Sequence, residues 1–174
     1  ELDLYAEFAA NYIVRRDPSG RWCEWNGTGY VNPLAGITGG TVFDIKEAPN
    51  GDIYVCGSFS SAGGVTGTYK IARWSKANQT WEGLGVTSVN STVTAFYCMA
   101  FDANGDLYVG GKFTNVAGVT GANYVAKYAV ATGTWSSVGT GISHTTPTLT
   151  RVLTITISSD GMIFIGGYFD TAGG

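Results

Sequence analysis

The stretch "FYCMAFDANGDLYVGGKF", residues 96–113, decides the fold. An apolar run leads into Asn104-Gly105, and a second run, "DLYVGGKF", leads out. Asn-Gly between two apolar runs predicts a hairpin, because such pairs supply the positive φ angles of a tight turn. The same pattern occurs as "VFDIKEAPNGDIYVCGSF" (42–59) and as "VLTITISSDGMIFIGGYF" (152–169). The aligned glycines Gly51, Gly105 and Gly161 lie 54 and 56 residues apart. In the first copy, Ile53, Val55, Gly57 and Phe59 fall on one face of the second strand, and Tyr54 and Cys56 on the other. Both faces carry apolar residues, which predicts a sheet covered on both sides.

The repetition continues downstream. "SSAGGVTGTYKIARWSKANQTWEGLG" (60–85) matches "TNVAGVTGANYVAKYAVATGTWSSVG" (114–139), and "DTAGG" opens the same loop a third time. "NYIVRRDPSGRWCEW" (11–25) matches the second half of the unit, with Trp22 in the place of Trp81 and Trp135. Each unit reads as four short strands. The first runs over 42–48 or 96–101, the third is "KIARW" or "YVAKY", and the fourth starts at Trp81 or Trp135. "SKANQT" and "AVATGT" form the second hairpin turn. Four-stranded antiparallel units of about 50 residues are the signature of a β-propeller. A β-sandwich is the other all-β solution, but it would not predict internal repetition.

The expected organisation is one incomplete propeller. A partial unit covers 1–27, full units cover 41–85 and 92–139, and a partial unit covers 152–174. Joining the halves would give three blades, whereas propellers use at least four. The chain is therefore expected to belong to a larger protein, or to close its ring with other chains. The stop at Gly173-Gly174, in mid-loop, points to the former.

These motifs resemble the kelch family of β-propeller repeats. The double glycine is Gly110-Gly111 and Gly166-Gly167. The aromatic seven residues before a tryptophan is Trp74 before Trp81, and Tyr128 before Trp135. The first unit departs from the pattern with Cys56-Gly57. This variety of the repeat is similar to kelch-like repeats of bacterial and fungal surface proteins and of tailed-phage structural proteins. The resemblance implies an extracellular surface or virion protein.

Composition narrows the chemistry. Of 174 residues, 44% are hydrophobic and 13% charged, and the net charge is -3. No basic cluster is present, so nucleic-acid binding is not expected. No apolar run approaches the roughly 20 residues needed to span a bilayer. The double glycines sit inside strands, not before a helix, so they are not a phosphate cradle. There they let neighbouring backbone or a large aromatic approach closely.

Copper sites of galactose-oxidase-like propellers need several histidines and tyrosines, and the single His144 excludes that site within this segment. The same scarcity removes a Ser-His-Asp triad. Asp102 with Asp106, and Asp44 with Glu47, are formal carboxylate pairs, but Asp52 and Asp106 read as turn residues. "DANGD" lacks the glutamate-terminated series of a calcium loop. Catalytic, metal and cofactor residues are therefore expected to be none.

Cys23, Cys56 and Cys98 match no zinc spacing. Cys56 and Cys98 read as small buried hydrophobes, with one disulfide left open. Sequons occur at Asn26, Asn78 and Asn90.

The favoured reading is a non-catalytic structural or adhesion module, binding protein partners or surface glycans through its non-repeating loops, with an oligomer compatible. Those loops are 27–40, 86–91 and 140–150, and Tyr30 is a candidate for stacking on a sugar ring. The alternatives are a fragment of a carbohydrate-active propeller enzyme with its catalytic residues in other blades, and an intracellular adaptor.

Overall fold

The computed structural model describes residues 14–16, 22–24, 36–88, 92–143, 145–146 and 148–173. Among them every regular element is a strand. A short hairpin pairs β1 (Val14–Arg16) with β2 (Trp22–Glu24). β3 (Ile37–Thr38) leads into the first unit: β4 (Val42–Glu47), β5 (Ile53–Gly57), β6 (Ser61–Ala62), β7 (Ile71–Ser75) and β8 (Thr80–Gly83). The second unit holds β9 (Val93–Phe101), β10 (Leu107–Phe113), β11 (Asn115–Val116), β12 (Val119–Thr120), β13 (Val125–Ala129) and β14 (Thr134–Ser137). β15 (Ile142–Ser143), β16 (Arg151–Ile157), β17 (Ile163–Tyr168) and β18 (Thr171–Ala172) complete the order.

The two middle units are antiparallel sheets with the same strand sequence, β4-β5-β7-β8 and β9-β10-β13-β14. β16 and β17 pair in the register of the first two strands of a unit. In the fourth-strand register Trp81 lies opposite Trp74 and Trp135 opposite Tyr128. Trp22 lies opposite Arg16 in the same way.

Backbone detail repeats with the sequence. Each first strand carries a bulge at the equivalent position, where the pairing skips Phe43, Tyr97 and Leu153, and β9 has a second one at Thr94. The third strands are entered through Lys70 and Tyr124, at φ 66° and 63°. A left-handed conformation is costly for such residues, and its recurrence at equivalent sites marks it as part of the unit.

The first turn differs from the expected two-residue turn. Gly51, Gly105 and Gly161 have φ between 81° and 85°, while Asn50, Asn104 and Asp160 do not enter the left-handed region. Gly51 N–H donates to the Ala48 carbonyl and Ala48 N–H to the Asp52 carbonyl, both at 2.8 Å. The same two bonds close the turns at Asp102–Asp106 and Ser158–Met162. This is a three-residue loop that needs only one left-handed residue, the glycine.

The sheets are covered on both faces, as the alternating pattern predicts. Val55, Phe59, Ala72, Trp74 and Trp81 pack on one side of the first sheet. Tyr54 and Cys56, on the other side, join Phe96, Met99, Leu107 and Val109 of the second sheet in one core. The opposite face of the second sheet, with Cys98, Tyr108 and Val125, packs on Val152, Ile155, Ile163 and Ile165. Each unit thus lays one face on the next. Fully buried Phe96 and Met99 contribute roughly 1.5–3 kcal/mol each.

Polar bonds reinforce the first junction. Met99 N–H donates to Asp44 Oδ2 at 2.8 Å, and Trp135 Nε1–H donates to the Leu84 carbonyl at 2.7 Å.

The double glycine has two separate causes. A Cβ on Gly57, Gly111 or Gly167 would collide with the carbonyl oxygen of Thr41, Ala95 or Arg151 beside the bulge. A Cβ on Gly110 would lie 2.5 Å from Val152 Cγ1 of the next unit and 2.7 Å from Cys98 Sγ. Close approach of neighbouring backbone is the expected role at Gly57, Gly111 and Gly167, while at Gly110 the neighbours are valine and cysteine rather than a large aromatic.

Candidate functional site at the loop end of the sheets

The hairpin turns gather at one end of the sheets and the glycine-rich loops at the other. The turn end is occupied by structural bonds. Asp52 Oδ1 accepts Lys76 N–H at 2.8 Å, and Asp106 Oδ1 accepts Val130 N–H at 3.0 Å. Each aspartate therefore ties the first turn of its unit to the second. Lys127 Nζ lies 2.9 Å from Asp106 and 3.7 Å from Asp102, and Arg73 pairs with Glu82 and Asp52. The hydrogen bond from Lys127 holds the Asp106 carboxyl below its ordinary range. The hydrogen bond from Arg73 does the same for Glu82. Asp44 is engaged by Lys46 and the Met99 amide. These carboxylates are framework groups, each committed to a backbone amide or a cation.

No group of three or more His, Cys, Asp or Glu side chains able to hold a metal ion occurs among the described residues. Cys56 and Cys98 are buried, unpaired thiols. Burial pushes the Cys98 thiol up to about 12 and the Cys56 thiol well above its ordinary value, so neither supplies a thiolate at neutral pH. Asn78 is exposed on the second turn of the first unit. His144, Tyr30, Asn26, Asn90 and the side chain of Cys23 lie outside the described residues.

The non-repeating connections reach the loop end, but parts of them belong to the framework. Ile37–Thr38 pairs with Ser61–Ala62, and Ile142–Ser143 with Thr171–Ala172. Val86 is fully buried in the core, as are Ile142 and Thr150 at their own sites. These residues of the candidate contact segments 27–40, 86–91 and 140–150 are part of the framework. Val86 and Ile142 were readable as apolar outliers in polar loops, whereas Thr150 was not. Thr87, Ser88, Thr145, Thr146, Thr148 and Leu149 keep exposed or half-exposed positions.

One connection differs in length. Three residues lie between Thr38 and Val42 and between Thr92 and Phe96, but eight lie between Ser143 and Val152. Thr38 and Ser143 bond to the loop residues Ser60 and Asp170, and Thr92 to Thr114 and Asn115, so these positions are equivalent. The five additional residues fall in 144–151. Thr148 from this insertion forms one wall of an open cleft of about 560 Å³. Thr92 and Thr94 from β9 and its approach, Lys112 and Thr114 at the end of β10, and Tyr124 form the rest. Val93 and Phe113 supply its apolar floor. The Lys112 ammonium is in no ion pair among the described residues. The cleft thus offers threonine hydroxyls, one ammonium group and an apolar floor, an arrangement suited to binding rather than to proton transfer. A smaller cleft of about 280 Å³, with Ser61, Thr66, Tyr69 and Ser88, lies at the same end.

No family model and no curated protein sequence matches the chain. Its structure is similar to part of PorZ, an essential bacterial surface component of the type-IX secretion system of Porphyromonas gingivalis. The TM-score is 0.53 at 17% identity, over 91% of this chain and 22% of that one. It is also similar to part of the extracellular domain of BT4673 from B. thetaiotaomicron, with a TM-score of 0.41 at 15% identity, over 92% of this chain and 24% of that one. The chain thus spans less than a quarter of either protein. At this identity the likeness to PorZ shows a shared backbone arrangement, and that arrangement is all-β with successive antiparallel sheets.

Proposed function

We propose that the chain is a segment of a β-propeller of kelch-like blades that serves as a non-catalytic module on an extracellular surface, of a cell or a virion. It binds a protein or glycan partner at the loop end of its blades. The propeller reading is supported by sheets that repeat strand order, bulge and turn, each laid on the next. The surface setting is supported by the structural likeness to PorZ, a bacterial surface component. The single observation that carries the binding reading is the five-residue insertion before β16, which builds the threonine-lined cleft with Lys112.

A glycan array with the labelled chain, which includes carboxylated and neutral oligosaccharides, tests this reading. Binding is expected to fall at least tenfold in Lys112→Ala and Thr94→Ala, and to persist in Lys76→Ala at the opposite end. Bound oligosaccharides should be recovered uncleaved. Binding that is lost in Lys76→Ala and kept in the cleft variants would overturn it, as would cleavage of the glycan.

A further inference from the structure

The cleft beside Lys112 has two features that the shared framework of the units does not require. The first is the strand geometry at Thr94. β9 sets Ala95 opposite Lys112 and Val93 opposite Phe113, which leaves Thr94 as the extra residue of a bulge. β4 and β16 have no bulge at the equivalent place. A bulge bends its strand and re-aims a side chain. Here Val93, Ala95 and Phe113 are buried, while Thr94 is exposed on the cleft.

The second feature is the placement of the cation. Ser58 is the equivalent of Lys112 in the first unit, and its hydroxyl accepts the Thr41 N–H at 3.0 Å. The lysine of that unit is Lys70, at the place of Tyr124, and its Nζ donates to the Ser58 carbonyl at 2.7 Å. In the first unit the cation thus serves the backbone. In the second unit a buried tyrosine takes that place, and the ammonium group stands on the cleft wall instead. No carboxylate lines the cleft among the described residues. Asp170, the equivalent of Thr114 in the third unit, is committed to the amide and hydroxyl of Thr145 at 2.8 and 3.0 Å.

We propose that the cleft binds a sugar carrying one negative charge, a carboxylate or a sulfate ester, and that Lys112 sets this specificity. The proposal rests on the binding reading of the same cleft. Its volume of about 560 Å³ lies within the range of small-ligand sites. Threonine hydroxyls both donate and accept, which matches the hydroxyls of a sugar ring. The apolar floor of Val93 and Phe113 receives the C–H face of the ring, and the ammonium receives the anion. One ammonium matches one charge, and a net charge of -3 gives the chain no long-range attraction for polyanions.

Affinities of the 174-residue chain for matched pairs of sugars test it. The probes are oligosaccharides ending in glucuronate, galacturonate or sialic acid, each beside its carboxyl-reduced form, and sulfated galactosides beside unsulfated ones. The carboxylate and sulfate arms identify which anion is taken. The charged member of at least one pair should bind about tenfold more tightly, the step from a neutral to a charge-assisted hydrogen bond. Lys112→Met should bring the members of that pair to equal affinity, and Lys112→Arg should keep the preference. Thr94→Ala should weaken both members alike, which separates loss of the cleft from loss of its charge selection. Added salt should narrow the gap in the parent chain, a readout that needs no variant to fold. Equal affinity within every pair would overturn the proposal and leave the binding cleft standing. A preference that survives both Lys112→Met and added salt would also overturn it. Binding to none of the sugars would overturn it together with the glycan reading.

Discussion

Gly110 and Gly111 are adjacent, yet they answer to different neighbours. Gly111 is fixed by the Ala95 carbonyl beside the bulge, and the same collision recurs at Gly57 and Gly167. Gly110 is fixed by side chains, and the first unit accommodates Cys56 at that position. This explains why the sequence keeps one glycine in all three copies and relaxes the other. The pair was legible as a close approach of backbone or an aromatic, but the bulge that brings the Ala95 carbonyl to Gly111 was not, because a bulge leaves no letter of its own. Phe43, Tyr97 and Leu153 read as ordinary strand residues. Gly111→Ala should destabilise the fold by about 1–3 kcal/mol through forced backbone displacement. Gly118→Ala, at φ 85° with open space around it, should cost about 1–2 kcal/mol through backbone strain alone. Urea denaturation of the two variants checks the order. A Gly111→Ala protein as stable as the parent would contradict the packing account.

At the scale of the element, the hairpin turns carry more than chain reversal. "NGD" announces the turn in the first two units, and its glycine takes the left-handed position. The aspartate then clips the second turn, a contact across 24 residues that no local pattern reveals. In the third unit Met162 stands in its place, and the clip is absent among the described residues. The clip has a pH signature. The Asp106 carboxyl titrates below its ordinary range because Lys127 bonds its charged form. Its contribution is therefore fully present above the unfolded-state value near 4 and is lost as pH falls through the lower folded value. Thermal midpoints between about pH 5 and pH 2.5 should fall in the parent and fall less steeply in Asp106→Asn. Parallel slopes would contradict the assignment.

Across the whole molecule, the same face relation is used twice: Tyr54 against the second unit, Tyr108 against the third. The four-strand order of each unit was legible because period-two runs and turn residues recur at fixed spacing. The serial stacking was legible only as coverage of both faces. The cleft was not legible at all, since it depends on where Thr148, in the longer connection before β16, comes to lie beside the ends of β9 and β10. The central claim is that successive copies of one unit are laid face to next face. Nuclear Overhauser contacts test it most directly. The account predicts cross-peaks between Val152 methyl protons and the Gly110 Hα pair, and between the Tyr54 and Phe101 rings, whose centres lie 5.2 Å apart. Absence of both sets in a folded sample would contradict it.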